Sequence, residues 1–344
     1  MKHALKVTLV IIAMFLVAQF IGLAVISSYD NHFGASAQKA RQEAIEKGLP
    51  VPPEPEISFV KGTIPPPMEL KTPIDVASIL ISIVIALVIA TALFFLLSRI
   101  RVTLLLRIWF AFVVFICLSI ALTLIIYPMT DTNLFGIFGR DVSIAEAIAL
   151  PLALILTFYK VIKRNILVHN FTELLIYPGL AVIFLPLLNV VAAAILLVLI
   201  SIYDMWAVWK SKYMIKLAKY QMNEMKVFAG FFVPYVSAKD RVKIQKMRAL
   251  ARREKSKKGK RKGKMFRFKV QIAALGGGDV AFPLIFAGTI MLAFGLLAAM
   301  ITILCTTIAL GLLLWFSKKG KFYPAMPFLS AGCFLGLILV LLIF

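Results

Sequence analysis

Two aspartates stand where an apolar sequence has least reason to carry them. Asp279 closes the run Leu275-Gly276-Gly277-Gly278-Asp279 and opens the apolar stretch Val280 to Gly288, and Asp204 lies in the apolar segment Leu199 to Trp209. A carboxylate inside a bilayer-spanning segment is costly, so each of these marks a functional position. Two facing carboxylates can activate a water without a metal or a nucleophilic side chain. One, ionised, draws a proton from the water; the other, protonated, donates to the carbonyl oxygen of an amide. Like charges about 3 Å apart do not both ionise, so such a pair shares a proton and titrates as a unit. The same two residues also suit a transporter that binds a proton or cation at broken helices. Residue types alone leave both chemistries open.

The elements that must position these aspartates are membrane helices. Hydrophobic residues make up 61% of the 344. Apolar runs of about 17–25 residues cross a bilayer as helices. Nine are predicted, at 7–27, 77–98, 103–127, 143–160, 171–187, 189–209, 274–294, 296–316 and 325–344, so the fold class is an all-α polytopic membrane protein. The first resembles a signal peptide ahead of Ala35-Ser36-Ala37, but its apolar core is about twice the usual length, which predicts a retained span.

Charge tests that count independently. With the N-terminus cytoplasmic, the inner segments hold 32 of the 38 Lys and Arg, 21 of them between 210 and 269. The outer loops hold six basic and nine acidic residues, with Glu146 just inside the outer end of the fourth span. Positive residues favour the cytoplasmic side, so the chain is expected in a cell membrane with its N-terminus inside and its C-terminus outside. The net charge of +22 is thereby a topology signal that also suits anionic headgroups, and no nucleic acid is expected as a partner.

Three parts follow. Residues 1–210 form a six-helix part carrying Asp204, 211–268 a basic cytoplasmic loop, and 269–344 a three-helix part carrying Asp279. Within the loop, Lys210 to Met222 has the spacing of an interfacial helix, and Arg248 to Lys264 has the composition of a disordered stretch. Phe266 to Ile272 alternates like a strand and offers an edge to an extended peptide. The proline-rich loop 28–76 reads as a partly ordered strap with no catalytic group.

Asp204 lies six residues before Lys210, and Asp279 ten after Lys269. At 1.5 Å per helical residue Asp204 sits about 9 Å deep. Asp279 reaches a similar depth if its approach is partly irregular, which Gly276, Gly277 and Gly278 permit. Pro283 cannot donate to the carbonyl of residue 279 and loosens the backbone there.

Other chemistries lack their residues. The three histidines, His3, His32 and His169, form no His-Glu-x-x-His motif and supply no membrane Ser/His dyad. Cys117, Cys305 and Cys333 lie in different spans without metal-ligand spacing, so neither a metal nor another cofactor is expected. Glu146 and Glu173 lie near predicted span ends, where interface solvation explains them.

Tyr203-Asp204, Gly276-x-Gly278-Asp279 and Pro324-Ala325-Met326-Pro327 occur in that order on the sixth, seventh and ninth predicted spans. This arrangement resembles the presenilin/signal peptide peptidase family of GxGD intramembrane aspartyl proteases, with its YD, GxGD and PAL patterns. In size the chain is most similar to archaeal presenilin homologues. The resemblance implies that Asp204 and Asp279 are the catalytic pair and that transmembrane proteins are the substrates. It further implies that Tyr203, Gly276, Gly278, Pro324, Ala325 and Met326 shape the site, and that the basic loop is open to self-cleavage. Met326 replaces the usual leucine at similar volume. Pro283 resembles the signal-peptide-peptidase branch, whereas the derived orientation matches presenilin and implies substrates with their N-terminus outside. Neither accessory subunits nor oligomeric state are readable from the residues.

Overall fold

The computed structural model describes residues 5–51, 57–65, 72–99, 103–130, 133–137, 140–163, 165–211, 229–235, 271–317 and 323–343. Among these residues nine helices are long and apolar enough to cross a membrane. In chain order the elements are α1 (Leu5–His32), α2 (Ala35–Glu46), α3 (Ser58–Thr63), α4 (Pro73–Arg99) and α5 (Thr103–Thr130). A short ribbon of β1 (Asn133–Ile137) and β2 (Arg140–Ser143) precedes α6 (Ile144–Phe158), α7 (Ile166–Phe184) and α8 (Val190–Met205). A second ribbon, β3 (Gly230–Tyr235) and β4 (Gln271–Gly276), leads into α9 (Gly277–Phe294), α10 (Leu296–Phe316) and α11 (Met326–Ile343). The chain is thus an integral membrane protein of helices with little sheet.

Helix starts follow local chemistry. Ser143, Asn165 and Asn189 each accept a backbone N–H of the turn that follows, at 3.2 Å from Glu146, 3.0 Å from Leu167 and 2.8 Å from Ala192. These side chains satisfy donors that a helix start leaves unpaired. The α9–α10 connection is a single residue: Gly295, at φ 89° and ψ 174°, a conformation essentially reserved for glycine.

With lipid as apolar as the core, small residues govern helix packing. Gly332 and Gly336 of α11 lie so close to Thr302, Thr306 and Ala309 of α10 that a Cβ on either would meet an atom within 2.7 Å. One core joins α1, α7, α8, α9, α10 and α11, including the fully buried Phe15, Leu284, Phe286 and Ile303. Through it α1 touches the start of α9, where buried Gln19 Nε2 donates to the Val280 carbonyl at 3.0 Å.

Two expectations need correction. The fifth span starts at Ile166, because Asn165 caps it, so His169 lies in its first turn. Glu146 and Glu173 are each only 1% exposed, so interface solvation does not account for them. Glu146 accepts the Phe59 N–H at 2.7 Å and thereby fastens the α3 strap; Glu173 pairs with Lys160. A buried carboxylate persists in such places because it is paired. In the 28–76 loop, α2 and α3 supply the partial order expected. Most of the expected interfacial helix, from 212 to 222, and the basic stretch 248–264 lie outside the described residues.

Candidate active site

Asp279 occupies the junction between a strand and a helix. Gly276 ends β4 and also precedes the first turn of α9, which is Gly277, Gly278 and Asp279. The Asp279 carboxylate turns back to accept the Gly276 N–H. That is the return half of a capping box, at the helix end where negative charge is favoured. The approach to Asp279 is a strand rather than irregular backbone. A Cβ on Gly276 would stand 3.0 Å from Asp279 Oδ2. One on Gly277 would stand 3.3 Å from the Tyr177 ring and 3.4 Å from the Ala229 carbonyl. Gly278 is exposed, and a Cβ there would stand 3.4 Å from the Phe282 ring.

Asp204 is a buried carboxylate near the end of α8, whose helical backbone runs on as a π-helix from Trp206 to Ser211, so it needs partners. Its compensation comes from another helix. The Met326 N–H donates to Asp204 Oδ2 at 3.2 Å, and the Ala325 N–H donates as well. Both amides belong to the start of α11, so the 324–327 segment meets Asp204 through its backbone. One turn away, Ser201 Oγ and Ser330 Oγ lie 2.8 Å apart and pin α8 to α11. α8, which carries Asp204, packs against α9, which carries Asp279. Pro324 and Met326 are buried and Ala325 is half-buried. Tyr203 is exposed, with its ring 6.4 Å from that of Trp206. Successive helix residues point about 100° apart, which is why Asp204 turns inward and Tyr203 does not.

The ribbon beside Asp279 has a definite register. β3 and β4 are antiparallel, with Phe231 opposite Leu275, Phe232 opposite Ala274 and Val233 opposite Ala273. The Phe232 N–H and carbonyl both bond to the Asn170 side chain, so this residue points away from β4. In an antiparallel pair such residues alternate with ladder-bonded ones. Phe232/Ala274 is therefore a non-bonded pair, and the Ala274 N–H and C=O face outward from β4. Gly276 has the same parity, and its outward N–H is the one Asp279 accepts. Pro234 also faces away from β4, so its missing N–H breaks no ladder bond. The ladder continues past the strands as Gly277 N–H to the Ala229 carbonyl at 3.2 Å.

The strand expected at 266–272 is found at 271–276, while 266–270 lie outside the described residues. The polarity alternation stops at Ile272 because Ala273 and Leu275 are buried while exposed Ala274 is also apolar. Strand β3 was not anticipated, although Phe231, Phe232, Val233 and Tyr235 are strand-forming residues; Pro234 masks the pattern. A stripe on α7 was missed as well. His169, Glu173 and Tyr177 recur every four residues, and all three are buried. Tyr177 packs edge-on against Phe231 with ring centroids 5.5 Å apart. That spacing was readable once the helix began at 166.

Residues 68–344 match the family model described as signal-peptide peptidase, presenilin aspartyl protease. No curated protein matches. Two solved structures of a presenilin family intramembrane aspartate protease share the fold at 19% identity. The C222 form covers 98% of this chain and 99% of its own at a TM-score of 0.57. The P2 form covers 97% of each at 0.54. The family match spans well over half of the residues, and it runs through both aspartates and the 324–327 segment. The chain belongs to the signal-peptide peptidase/presenilin family of intramembrane aspartyl proteases.

Proposed function

We propose that Asp204 and Asp279 form the catalytic dyad and cut transmembrane substrates beside the open edge of β4. The observation that carries this reading is the position of Asp279, whose carboxylate takes up the last outward N–H of that edge. Among the described residues nothing takes up the outward N–H and C=O of Ala274. A substrate segment unwound from its helix gains those bonds as an added strand. Its next peptide group then lies toward the aspartates.

One carboxylate accepts a proton from the water as the new C–O bond forms, and the other gives its proton to the carbonyl oxygen. The tetrahedral diol then collapses as the C–N bond breaks. The proton taken from the water passes to the departing amine while one diol hydroxyl returns its proton to the other carboxylate, so the dyad is again left sharing one proton. Exposed Gly278 leaves backbone room for the incoming segment. The charge distribution favours an N-terminus inside, a cleavage site toward the cytoplasmic face and substrates with their N-terminus outside. Functionally, 1–210 delivers Asp204, 269–344 delivers Asp279, and 211–268 joins them.

The test is cleavage of a reconstituted single-span substrate by wild type, Asp204→Ala and Asp279→Ala. Each substitution is expected to lower turnover by about 10²–10⁴-fold. Full activity in either would refute the dyad, and ion flux lost in both without proteolysis would favour transport.

A further inference from the structure

An antiparallel ribbon of two strands has two edges and is marginal on its own. Here the edge of β3 away from β4 is closed by side chains of α7. Asn170 Nδ2 donates to the Phe232 carbonyl at 2.8 Å, and the Phe232 N–H donates to Asn170 Oδ1 at 3.0 Å. The His169 Nε2–H donates to the Gly230 carbonyl at 2.8 Å. Gly230 and Phe232 are two residues apart, so these are consecutive outward positions of one edge. A carboxamide carries one donor group and one acceptor, as a peptide group does. Asn170 thus stands where a neighbouring strand's peptide would stand.

Behind this clamp the contacts are buried and charged. Glu173 Oε1 lies 2.5 Å from Lys160 Nζ and 3.7 Å from His169 Nε2, and Lys160 also reaches Thr172 Oγ1 at 3.4 Å. The His169 ring packs on that of Phe232 with centroids 5.0 Å apart. A buried ion pair rarely adds much net stability, so fixing geometry is the better account of this one. From the clamp, position passes onward. Ala229 accepts the Gly277 N–H at 3.2 Å, and Asp279 lies two residues further on.

We infer that α7 acts as a side-chain third strand. Asn170 is a positioning residue that closes the β3 edge, leaves β4 as the edge that reads substrate, and so sets where the substrate is cut. The functional half of this inference rests on the proposed proteolysis; the clamp itself does not.

The test therefore has two arms on the full chain in proteoliposomes, comparing wild type, Asn170→Ala and Asn170→Asp. The aspartate variant keeps the shape but sets an oxygen against the Phe232 carbonyl. Amide hydrogen exchange at Phe232, which needs no proteolysis, is expected to accelerate at least about tenfold in Asn170→Ala, which removes the acceptor of that N–H. Asn170→Asp keeps the acceptor and loses only the donor to the Phe232 carbonyl. Unchanged exchange in Asn170→Ala would overturn the clamp. In the second arm, cleavage products of a single-span substrate are mapped by mass spectrometry. New product termini are expected in both variants, with kcat reduced about tenfold. Val340→Ala, a cavity variant in a buried part of α11, is expected to lower thermal stability while keeping the wild-type termini. Unchanged termini in both Asn170 variants would overturn the positioning role. An inactive wild type, or an active Asp279→Ala, would instead defeat the proteolytic reading and leave the exchange result standing.

Discussion

The two aspartates are held by opposite means. Asp279 sits in the first turn of α9 and is stabilised by its own surroundings: the helix N-terminus and the Gly276 N–H at the end of β4. Asp204 sits inside a helical stretch that runs on past it to Ser211, has no helix end to help it, and depends on amides lent from the start of α11. One site is local in sequence; the other is assembled across 122 residues. A short motif with glycines suffices for the first. The second needs a tertiary contact, and the 324–327 segment is where it is made.

Several substitutions separate these modes. The largest effect is expected from Asp204→Ala and Asp279→Ala alike, each lowering turnover by about 10²–10⁴-fold in a reconstituted cleavage assay. Unequal losses would mean that the carboxylates do not act as one unit. Met326→Pro comes next, because it removes a donor to Asp204 while proline remains acceptable in a first helical turn. A hydrogen bond to a charged group contributes about 1.5–3 kcal/mol, so the rate is expected to fall about 10–100-fold. Met326→Leu, which conserves volume, is expected to stay within about twofold.

A smaller effect, about tenfold on turnover, is expected from Ala274→Pro with the thermal midpoint nearly unchanged, since its N–H faces outward. Ala273→Pro should do the reverse, breaking a ladder bond to β3 and lowering the midpoint. Equal behaviour of the two would refute the assigned parity. The smallest change is expected from Ser201→Ala, which unpins α8 from α11. Its cost is about 1 kcal/mol, read as a shift in thermal unfolding, with cleavage reduced only slightly.

Much of this was legible in the sequence, for a physical reason. Lipid demands long apolar helices, so the spans declare themselves, and Asp204 and Asp279 stand out against them. What stayed hidden were polar groups that satisfy one another inside the protein. Glu173 near a predicted span end carries no sign that Lys160 lies against it, and Asn170 gives no hint of the peptide group it imitates. The ribbon was half visible. Alternation reveals a strand only where one face is polar, and from Ala273 to Gly276 both faces are apolar or bare. The resemblance gave the 324–327 segment a part in shaping the site; its contact with Asp204 is made by backbone N–H groups, which every residue except proline carries.

The single-residue joint at Gly295 has a mechanical consequence. With no slack between α9 and α10, an axial displacement of Asp279 is carried directly into α10. The close seam at Gly332 and Gly336 carries it on into α11, whose first amides hold Asp204. The route from one carboxylate to the other is thus a closed kinematic loop of stiff links. A shift of α9 along the membrane normal is therefore expected to reach the amide that holds Asp204 through these contacts.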